Sequence, residues 1–367
     1  MPKLCLIYNF AQHYRTNVFS VLDKELDIDF VFGDKYLDVK KMDYSLISHT
    51  VKEVKNVRLG PFYWQQGSVS YAFKNYDSYI LLGEYLCLSS WIIALIARLR
   101  NKKVIYWTHG WYGNEGMIKK FVKKLYFGLG SHIMTYGNYA RDLMIKEGFS
   151  KEHISTIHNS LAYDQQVALR ASLSQTEIYK NHFGNDNPIL IFIGRLTKVK
   201  KLDLLIEAVK KLKQKGQTFN MVFVGNGEES NNLKTKVEQL GLNNQVWFYG
   251  ACYDEQTNAE LIYNADLCVA PGNIGLTAMH SMTFGTPCLT HDDFKWQMPE
   301  FEAIHEGVTG TFFERENLES LVISIQNWFN SLHEDRESVR QACYKEIDEQ
   351  WTPYFQLDVI KKILNKK

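Results

Sequence analysis

Short apolar segments alternate with helical segments along nearly the whole chain. In the amino-terminal half we predict strands at residues 3–8, 28–32, 78–82, 103–107, 132–135 and 154–157, with helices between them. Strands that are apolar throughout are typical of a parallel sheet covered by helices on both faces. The alternation resumes at Pro188 and continues to about Asp348. The pattern therefore predicts an α/β fold with two parallel sheets.

The length of 367 residues suits two domains, and a hydrophobic content of 45% can fill both cores. Residues 164–188 are predicted as the linker. They include Ser174-Gln-Thr-Glu177, a capping-box pattern, before a short helix that ends at Gly184. We place the first domain at residues 1–165 and the second at residues 186–348.

Composition predicts a cytoplasmic protein. The 42 basic and 41 acidic residues give a net charge of +1, so nothing global indicates a nucleic-acid partner. Six widely separated cysteines without a Cys-x-x-Cys pair are typical of buried thiols in a reducing compartment. The chain enters a strand directly, without the pattern of a secretory signal, and its most apolar windows are too short to span a bilayer.

Residues 189–204 join a buried strand, a Gly-Arg turn and the start of a helix. Arg195 and Lys200 place two positive charges beside that helix start. Such an arrangement favours a phosphate group, because the helix amino terminus and the cations attract the same anion. The alternative is that both are surface charges beside Lys198 and Lys201.

This segment resembles the start of the carboxyl-terminal half of the retaining glycosyltransferases of family 4. The resemblance continues in the family's order and spacing through residues 221–229, 246–250, 261–276, 281–287 and 306–313. It implies the GT-B fold, in which two Rossmann-like parallel-sheet domains face each other across a cleft. It also implies that a last helix, at about 350–367, completes the first domain. The substrate would be a nucleotide-sugar, UDP- or GDP-linked, with no other cofactor and no metal.

The resemblance places a donor site in the second domain. Arg195 and Lys200 are the predicted catalytic cations, which stabilise the leaving diphosphate without a metal. The other donor-binding candidates are Gly225, Asn226, Gly227, Cys252, Tyr253, Asn273, Gly275, Leu276, Thr277, His280, Glu300 and Glu302.

Two glutamates that the family usually carries seven residues apart are absent. Aligned on Gly285 and Pro287, their places are taken by Gly272 and His280. His280 is predicted to hydrogen-bond the ribose, and the alternative is a packed helix histidine. Asn273, Glu300 and Glu302 are the candidates for contacts to the sugar in place of the first glutamate.

The first domain supplies the acceptor side. His109 follows a predicted strand, where the resemblance implies a contact with the transferred sugar and we predict a catalytic role. The acceptor-side candidates, which follow the first and third predicted strands, are Asn9, Gln12, His13 and Glu84. The alternative for each is a plain loop role.

Two acidic patterns resemble metal ligands, Asp27-Ile-Asp29 and His291-Asp-Asp293. The first opens a strand too early for the metal motif of the other major glycosyltransferase fold. We interpret both as structural and predict no metal site.

Residues 117–127 form a predicted amphipathic helix. One face carries the apolar residues Ile118, Phe121, Val122, Leu125 and Tyr126, and the opposite face carries Lys119, Lys120, Lys123 and Lys124. Such a helix favours an anionic membrane surface, here the inner face of the cell membrane. The alternative is a core-packed helix with a solvated lysine face.

The leading hypothesis is a glycosyltransferase that moves a sugar to a glycan or lipid-linked acceptor in polysaccharide or glycolipid synthesis. The loss of both glutamates motivates an alternative, a catalytically silent sugar-nucleotide-binding or scaffold subunit. A GT-B sugar-nucleotide epimerase is the third hypothesis, although the acidic groups and histidines of such enzymes have no assignable counterparts here.

Overall fold

The computed structural model describes residues 2–35, 39–331 and 335–366. They form two compact units. Unit 1 comprises Met1–Tyr163 and Trp351–Lys367, and unit 2 comprises Asp164–Gln350. The whole predicted linker therefore belongs to unit 2, where Tyr179 anchors it by donating from its hydroxyl to the carbonyl oxygen of Leu261, 2.5 Å away.

Unit 1 is built on an eight-stranded sheet. Its strands are β1 Leu4–Tyr8, β2 Ile28–Gly33, β3 Val51–Leu59, β4 Phe62–Gln66, β5 Ser78–Leu82, β6 Lys103–Thr108, β7 His132–Thr135 and β8 Ile154–Thr156. Its helices are α1 Thr16–Glu25, α2 Leu88–Leu99, α3 Met117–Phe127, α4 Asn138–Lys146 and, from the end of the chain, α13 Pro353–Asn365. The strand order is β4-β3-β2-β1-β5-β6-β7-β8.

All six strands predicted in this half are confirmed to within one residue at each end, and they are parallel. The hairpin of β3 and β4 was missed. Its strands pair antiparallel and are largely exposed, so they lack the continuous apolar run by which the other strands are recognised.

Helix α13 belongs to the core of unit 1. Its Ile360 is fully buried, and Lys361 pairs with Glu25 of α1 at 2.8 Å. Gln356 donates from Nε2 to the carbonyl oxygen of His158 at 2.8 Å. The last helix therefore completes the first unit, as the resemblance implies.

Unit 2 is built on a six-stranded parallel sheet. Its strands are β9 Ile189–Ile193, β10 Asn220–Val224, β11 Val246–Gly250, β12 Leu267–Val269, β13 Cys288–His291 and β14 Gly310–Phe313. Its helices are α5 Tyr163–Arg170, α6 Ile178–Phe183, α7 Leu202–Gln214, α8 Ser230–Gln239, α9 Glu255–Tyr263, α10 Leu276–Thr283, α11 Leu318–Ser331 and α12 Arg336–Gln350. The order β11-β10-β9-β12-β13-β14 makes β9 a topological switch point, since the chain continues to opposite sides of it.

Three smaller predictions can be compared with the structure. Helix α6 ends at Gly184 as predicted, but it begins at Ile178, and Glu177 at its start makes no side-chain cap, so the capping box does not form. The six cysteines are free thiols, and all are buried except Cys252, which is partly exposed. Across the described ranges, no helix has both the length and the apolar character needed to cross a bilayer.

Candidate functional site

The turns that follow β9 and β10 touch each other at the carboxyl edge of the unit 2 sheet. Gly225 has a φ of +144°, and a Cβ atom there would lie 1.9 Å from the carbonyl oxygen of Gly194. Leu196 continues the contact by donating its backbone N–H to the oxygen of Asn226 at 3.0 Å. Only a glycine at position 225 permits this approach, which places Arg195 at the switch point.

Arg195 and Lys200 occupy different environments. Arg195 is exposed, whereas the ammonium group of Lys200 is largely enclosed by its own chain. Lys200 Nζ donates to the carbonyl oxygen of Asn273 at 2.7 Å, to Asn273 Oδ1 at 3.0 Å and to the carbonyl oxygen of Ile274 at 3.2 Å. These bonds use the three protons of the ammonium group, so Lys200 holds the loop before α10 in place.

The charge of Lys200 is sensitive to its neighbours. Burial lowers its pKa to about 8 and Arg195 acts in the same direction, while the nearby carboxylate of Glu300 opposes both. The two predicted diphosphate-binding cations therefore differ in accessibility. Arg195 is the accessible cation, and Lys200 is a buried one already engaged with backbone oxygens.

Helix α10 begins directly above the end of β9. Gly275 precedes the helix with φ +58° and ψ −148°. Glycine adopts this conformation readily, whereas residues with a side chain rarely do. Thr277 fixes the helix by donating from Oγ1 to the carbonyl oxygen of Ile193, the last residue of β9, at 2.9 Å. The first-turn N–H groups of a helix lack partners within the helix and carry a partial positive charge, so this end of α10 favours an anion.

The backbone at Gly272 excludes the family's first glutamate. A Cβ atom there would lie 1.9 Å from the carbonyl oxygen of Val199 and 2.8 Å from the backbone of Lys200. The N–H of Gly272 also donates to the oxygen of Lys200 at 2.9 Å. Any side chain would push these two loops apart, so the glycine is required by the loop packing.

His280 does not present a free ring nitrogen at its Nε2 position. Nε2 lies 3.0 Å from Oε1 of Glu255, at the start of α9. Gln166 of α5 donates from Nε2 to the same oxygen at 2.7 Å. Sequence reasoning missed Glu255, because a glutamate in the first turn of a helix is an ordinary helix residue and nothing in the sequence pairs it with His280.

The other donor candidates are placed as follows. Asn226 is exposed, and its side-chain oxygen accepts hydrogen bonds from the N–H of Gly227 at 2.8 Å and the hydroxyl of Ser230 at 2.6 Å, which closes the turn before α8. In the loop after β11, Tyr253 is 95% exposed, and Cys252 Sγ donates to the backbone of Asp254. The remaining pair, Glu300 and Glu302, lies in a short 3-10 helix, Pro299–Ala303, that packs against α10.

In unit 1, the acceptor-side candidates follow three neighbouring strands. Asn9 and Gln12 follow β1 and are buried, Glu84 follows β5, and His109 follows β6. The side-chain oxygens of Asn9 and Gln12 are buried without a hydrogen bond, whereas Glu84 accepts one from the hydroxyl of Tyr63 at 2.8 Å. His13 is exposed, and its ring Nδ1 donates to the carbonyl oxygen of Lys40 at 3.2 Å.

The ring of His109 lies 4.7 Å from that of Tyr136, measured between centroids. Burial lowers the pKa of His109 to about 4, and the positive charges of Arg15 and Lys123 act in the same direction. Its Nδ1 atom is buried without a hydrogen-bond partner. His109 is therefore a neutral imidazole near pH 7, able to donate or accept a hydrogen bond but not to carry charge.

Arg15 is a residue whose role the sequence did not reveal. It is 3% exposed and lies among the rings of Tyr8, Phe19, Trp107 and Tyr136, with the guanidinium carbon 4.5 Å from the centre of the Trp107 ring. Its Nη1 donates to the hydroxyl groups of Tyr8 at 2.8 Å and Tyr136 at 2.5 Å, while Nε and Nη2 have no hydrogen bond. A charged residue in a polar loop looks exposed in sequence, and only the fold places it inside an aromatic core.

Helix α3 extends over Met117–Phe127 as predicted, but it buries Lys123 together with Tyr126 and Phe127. Lys123 is buried and pairs with Glu115 Oε1 at 2.8 Å, and Lys120 and Lys124 both pair with Glu147. Four apolar side chains are exposed instead, and we call them the apolar stripe: Met117 (88%), Ile118 (83%), Phe121 (63%) and Leu125 (53%). The helix packs on the core through Tyr126 and Phe127, and Lys119 and Lys124 are exposed, but Lys123 is buried and so departs from the predicted solvated lysine face.

The acidic patterns that resemble metal ligands have local partners. Asp29 accepts a hydrogen bond from the hydroxyl of Tyr76 at 2.7 Å, and Asp293 pairs with Arg315 at 3.4 Å. Among the residues that the structure describes, no group of three or more His, Cys, Asp or Glu side chains is arranged to hold a metal ion.

Comparison with known proteins identifies the segment that carries the unit 2 site. Residues 174–346 match the family model described as glycosyl transferases group 1. Most of unit 2 is therefore similar to this family model. The curated relative "Putative glycosyltransferase EpsD" of Bacillus subtilis (strain 168) is 27% identical over 209 residues, which cover 54% of this chain and 54% of EpsD. The chain thus spans about half the length of this relative.

Solved structures share the whole fold. The Anabaena protein Alr3699/HepE, crystallised with UDP, aligns with a TM-score of 0.73 and 15% identity over 99% of both chains. A glycosyltransferase from Rickettsia africae ESF-5 aligns with a TM-score of 0.74 and 19% identity over 100% of both chains. The prediction of a GT-B fold with two Rossmann-like parallel-sheet domains is confirmed.

Proposed function

We propose that the protein is a glycosyltransferase that moves a sugar from a UDP- or GDP-linked donor to a glycan or lipid-linked acceptor. The observation that carries the proposal is the edge of the unit 2 sheet, where the exposed Arg195 and the amino terminus of α10 converge at the switch point. The group 1 domain match covers this site, and UDP is the ligand crystallised with the structurally similar Alr3699/HepE.

The chemistry requires stabilisation of a leaving nucleoside diphosphate. As the bond from the sugar carbon to the diphosphate oxygen breaks, negative charge grows on that oxygen. The guanidinium of Arg195 and the first-turn N–H groups of α10 are the groups that would receive it. Lys200 adds positive charge behind the loop and, through Asn273 and Ile274, positions the helix start.

The reaction needs no protein base and no metal in this proposal. The acceptor oxygen bonds to the sugar carbon on the face from which the diphosphate departs, and the departing phosphate oxygen takes the acceptor proton. The configuration at that carbon is retained. Loss of the two family glutamates is compatible with this route, because the cations and helix amides carry the developing charge.

The acceptor is proposed to bind unit 1 at the ends of β1, β5 and β6. The neutral ring of His109 would donate to a sugar hydroxyl, and the buried oxygens of Asn9 and Gln12 would accept from hydroxyl groups. Buried polar atoms without partners are costly, and a polyhydroxylated ligand relieves that cost.

A membrane partner is also proposed, through a revised surface. The apolar stripe of α3 lies beside α2, where Trp91 packs on Tyr126 at 4.9 Å between ring centroids. Helix α2 adds three exposed apolar side chains on one face, which are Ile92, Leu95 and Leu99. Apolar groups of this kind insert into the headgroup region, and Lys119 and Lys124 at the border of the stripe would contact anionic lipid. The proposed location is the cytoplasmic face of the cell membrane.

The function is tested by incubating the protein with UDP- and GDP-linked sugars and analysing the products by mass spectrometry. Slow hydrolysis to free sugar and nucleoside diphosphate supports a transferase, because water replaces the absent acceptor. Tight binding with no turnover supports the scaffold alternative, and a new sugar isomer supports the epimerase. The control is Arg195→Ala, which should lose hydrolysis.

The membrane proposal is tested by co-sedimentation with vesicles that contain anionic lipid. Replacing Ile118 and Phe121 by serine should release the protein, whereas Lys119→Gln with Lys124→Gln should weaken binding by about 1 kcal/mol per lysine and remove its salt dependence. The control is Ile323→Ser, an exposed apolar residue of α11 in unit 2. Wild-type protein that does not co-sediment, or serine variants that bind unchanged, would contradict the proposal.

A further inference from the structure

Two side chains from separate helices contact the carboxylate of Glu255, which lies on a third helix of unit 2. Glu255 opens α9, His280 lies in the middle of α10, and Gln166 lies in α5. His280 Nε2 and Gln166 Nε2 both reach Oε1 of Glu255, at 3.0 Å and 2.7 Å. An ionised carboxylate has no proton to give, so both ring and amide must donate to it.

This carboxylate is held in its charged form. Burial opposes ionisation of Glu255, but the hydrogen bonds and charge of His280, with help from Gln166, outweigh it and lower its pKa. Both donors occupy Oε1. Asn258, about one turn further along α9, adds a further side-chain hydrogen bond to the carboxylate, and the Glu255 side chain is 26% exposed. The arrangement holds the carboxylate in place, and its exposed part can still accept hydrogen bonds from a ligand.

The carboxylate also lies at the edge of the sheet that holds Arg195. Glu255 begins α9 immediately after the loop that follows β11, and His280 is about one helical turn beyond the start of α10. Thr277 ties that helix start to the end of β9, beside Arg195. A ligand whose diphosphate sits at the α10 amino terminus would therefore extend its next group past Glu255.

We propose that Glu255 is the acceptor for the ribose hydroxyl groups of the bound nucleotide, with His280 and Gln166 as positioning residues. A carboxylate oxygen can accept from one or both hydroxyls of a vicinal diol, and a charged acceptor makes the stronger kind of hydrogen bond. His280 cannot accept from ribose through Nε2, because that nitrogen donates to Glu255. This inference rests on the proposed function, since it presupposes a nucleotide at this edge.

The test compares two ligands on each protein variant by calorimetry. UDP and 2′,3′-dideoxy-UDP differ only in the two hydroxyls, and GDP with 2′,3′-dideoxy-GDP forms a second pair. Wild type should prefer the hydroxylated ligand of at least one pair by about ten-fold or more. Glu255→Ala should bind both members of that pair within about two-fold of each other. Glu255→Gln, whose amide oxygen still accepts, should keep part of the preference and guards against a folding defect in the alanine variant.

Two further variants separate binding from structure. His280→Gln should reduce the preference less than Glu255→Ala does, and should add nothing when combined with it, because it acts through the same carboxylate. Glu260→Gln, on the same helix but paired with Thr176, is the control and should keep the full preference.

The outcomes distinguish this inference from the proposed function. If wild type binds UDP or GDP but shows no preference over the dideoxy ligand, the inference is wrong and the function stands. If Glu255→Ala keeps the preference and only melts at a lower temperature, the cluster is structural and the inference is again wrong. If wild type binds no nucleoside diphosphate, both fail together.

Discussion

Several polar groups near the strand ends differ in their hydrogen bonding between the two units. In unit 2, Lys200, Thr277 and His280 are each hydrogen-bonded to their own chain, and the turns approach through glycine. In unit 1, Arg15 and His109 each keep a buried nitrogen without a hydrogen bond. Unit 2 is thus a prearranged surface whose backbone and cations need no adjustment, whereas unit 1 holds polar groups that a ligand would satisfy.

The difference teaches where each kind of binding energy originates. A diphosphate is small and strongly charged, and fixed helix amides with a cation suit it. A glycan offers many neutral hydroxyls, and side-chain oxygens and a neutral imidazole suit those. We therefore expect donor affinity to depend on unit 2 and acceptor selection to depend on unit 1.

The largest expected effect is at Arg195. Arg195→Ala should reduce transfer or donor hydrolysis by about 100-fold or more, the scale of losing one preorganised electrostatic contact. Because Arg195 is exposed, its loss should leave the melting temperature nearly unchanged. Lys198→Ala, an exposed lysine in the following turn, is the matched control. Equal losses in both variants would mean that general positive charge, and not the position of Arg195, matters.

Lys200 should behave differently from Arg195 in its pH dependence. Its pKa of about 8 lies below the ordinary 10.5, so the folded protein releases this proton between about pH 8 and 10.5 while the unfolded chain keeps it. On this account kcat/KM should fall as the pH rises through about 8, and Lys200→Arg should remove that fall. If kcat/KM of Lys200→Arg still falls above about pH 8, the fall belongs to the titration of another group.

Gly272→Ala tests whether loop packing excludes the missing glutamate. The added Cβ would overlap the carbonyl oxygen of Val199, so we expect unfolding free energy to fall by about 1–3 kcal/mol in thermal or urea unfolding. Gly116→Ala in unit 1 is the control, because a Cβ there meets nothing within 4 Å. If Gly272→Ala were as stable as the wild type, loop packing would not explain why the glutamate is absent.

A smaller effect is expected at His109. Its folded pKa of about 4 lies below the ordinary 6.5, so its contribution to stability is present above about pH 6.5 and is lost as the pH falls towards 4. Arg15→Met removes one of the two positive charges that face the ring, and should raise the pKa of His109 in an NMR titration. Lys119→Met, an exposed lysine of α3, should not. If the pKa of His109 is unchanged in Arg15→Met, the charge of Arg15 does not lower it.

Sequence predicted the parts of the molecule that depend on local pattern. The apolar strands and the Gly-Arg turn after β9 are each set by residues close together in the chain. The pairing of Glu255 with His280 and the enclosure of Arg15 by Trp107 join residues far apart in the chain, so no local pattern carries them. The burial of Lys123 has a similar origin, because its partner Glu115 lies outside the helix.

The central claim is that the amino terminus of α10 and Arg195 hold the diphosphate of a nucleotide. A crystal structure with bound UDP or GDP tests it most directly. We predict phosphate oxygens within about 3.2 Å of the first-turn N–H groups of α10 and of the Arg195 guanidinium, without displacement of Lys200 from Asn273. A diphosphate bound elsewhere on the chain, or bound with both groups out of reach, would contradict the account.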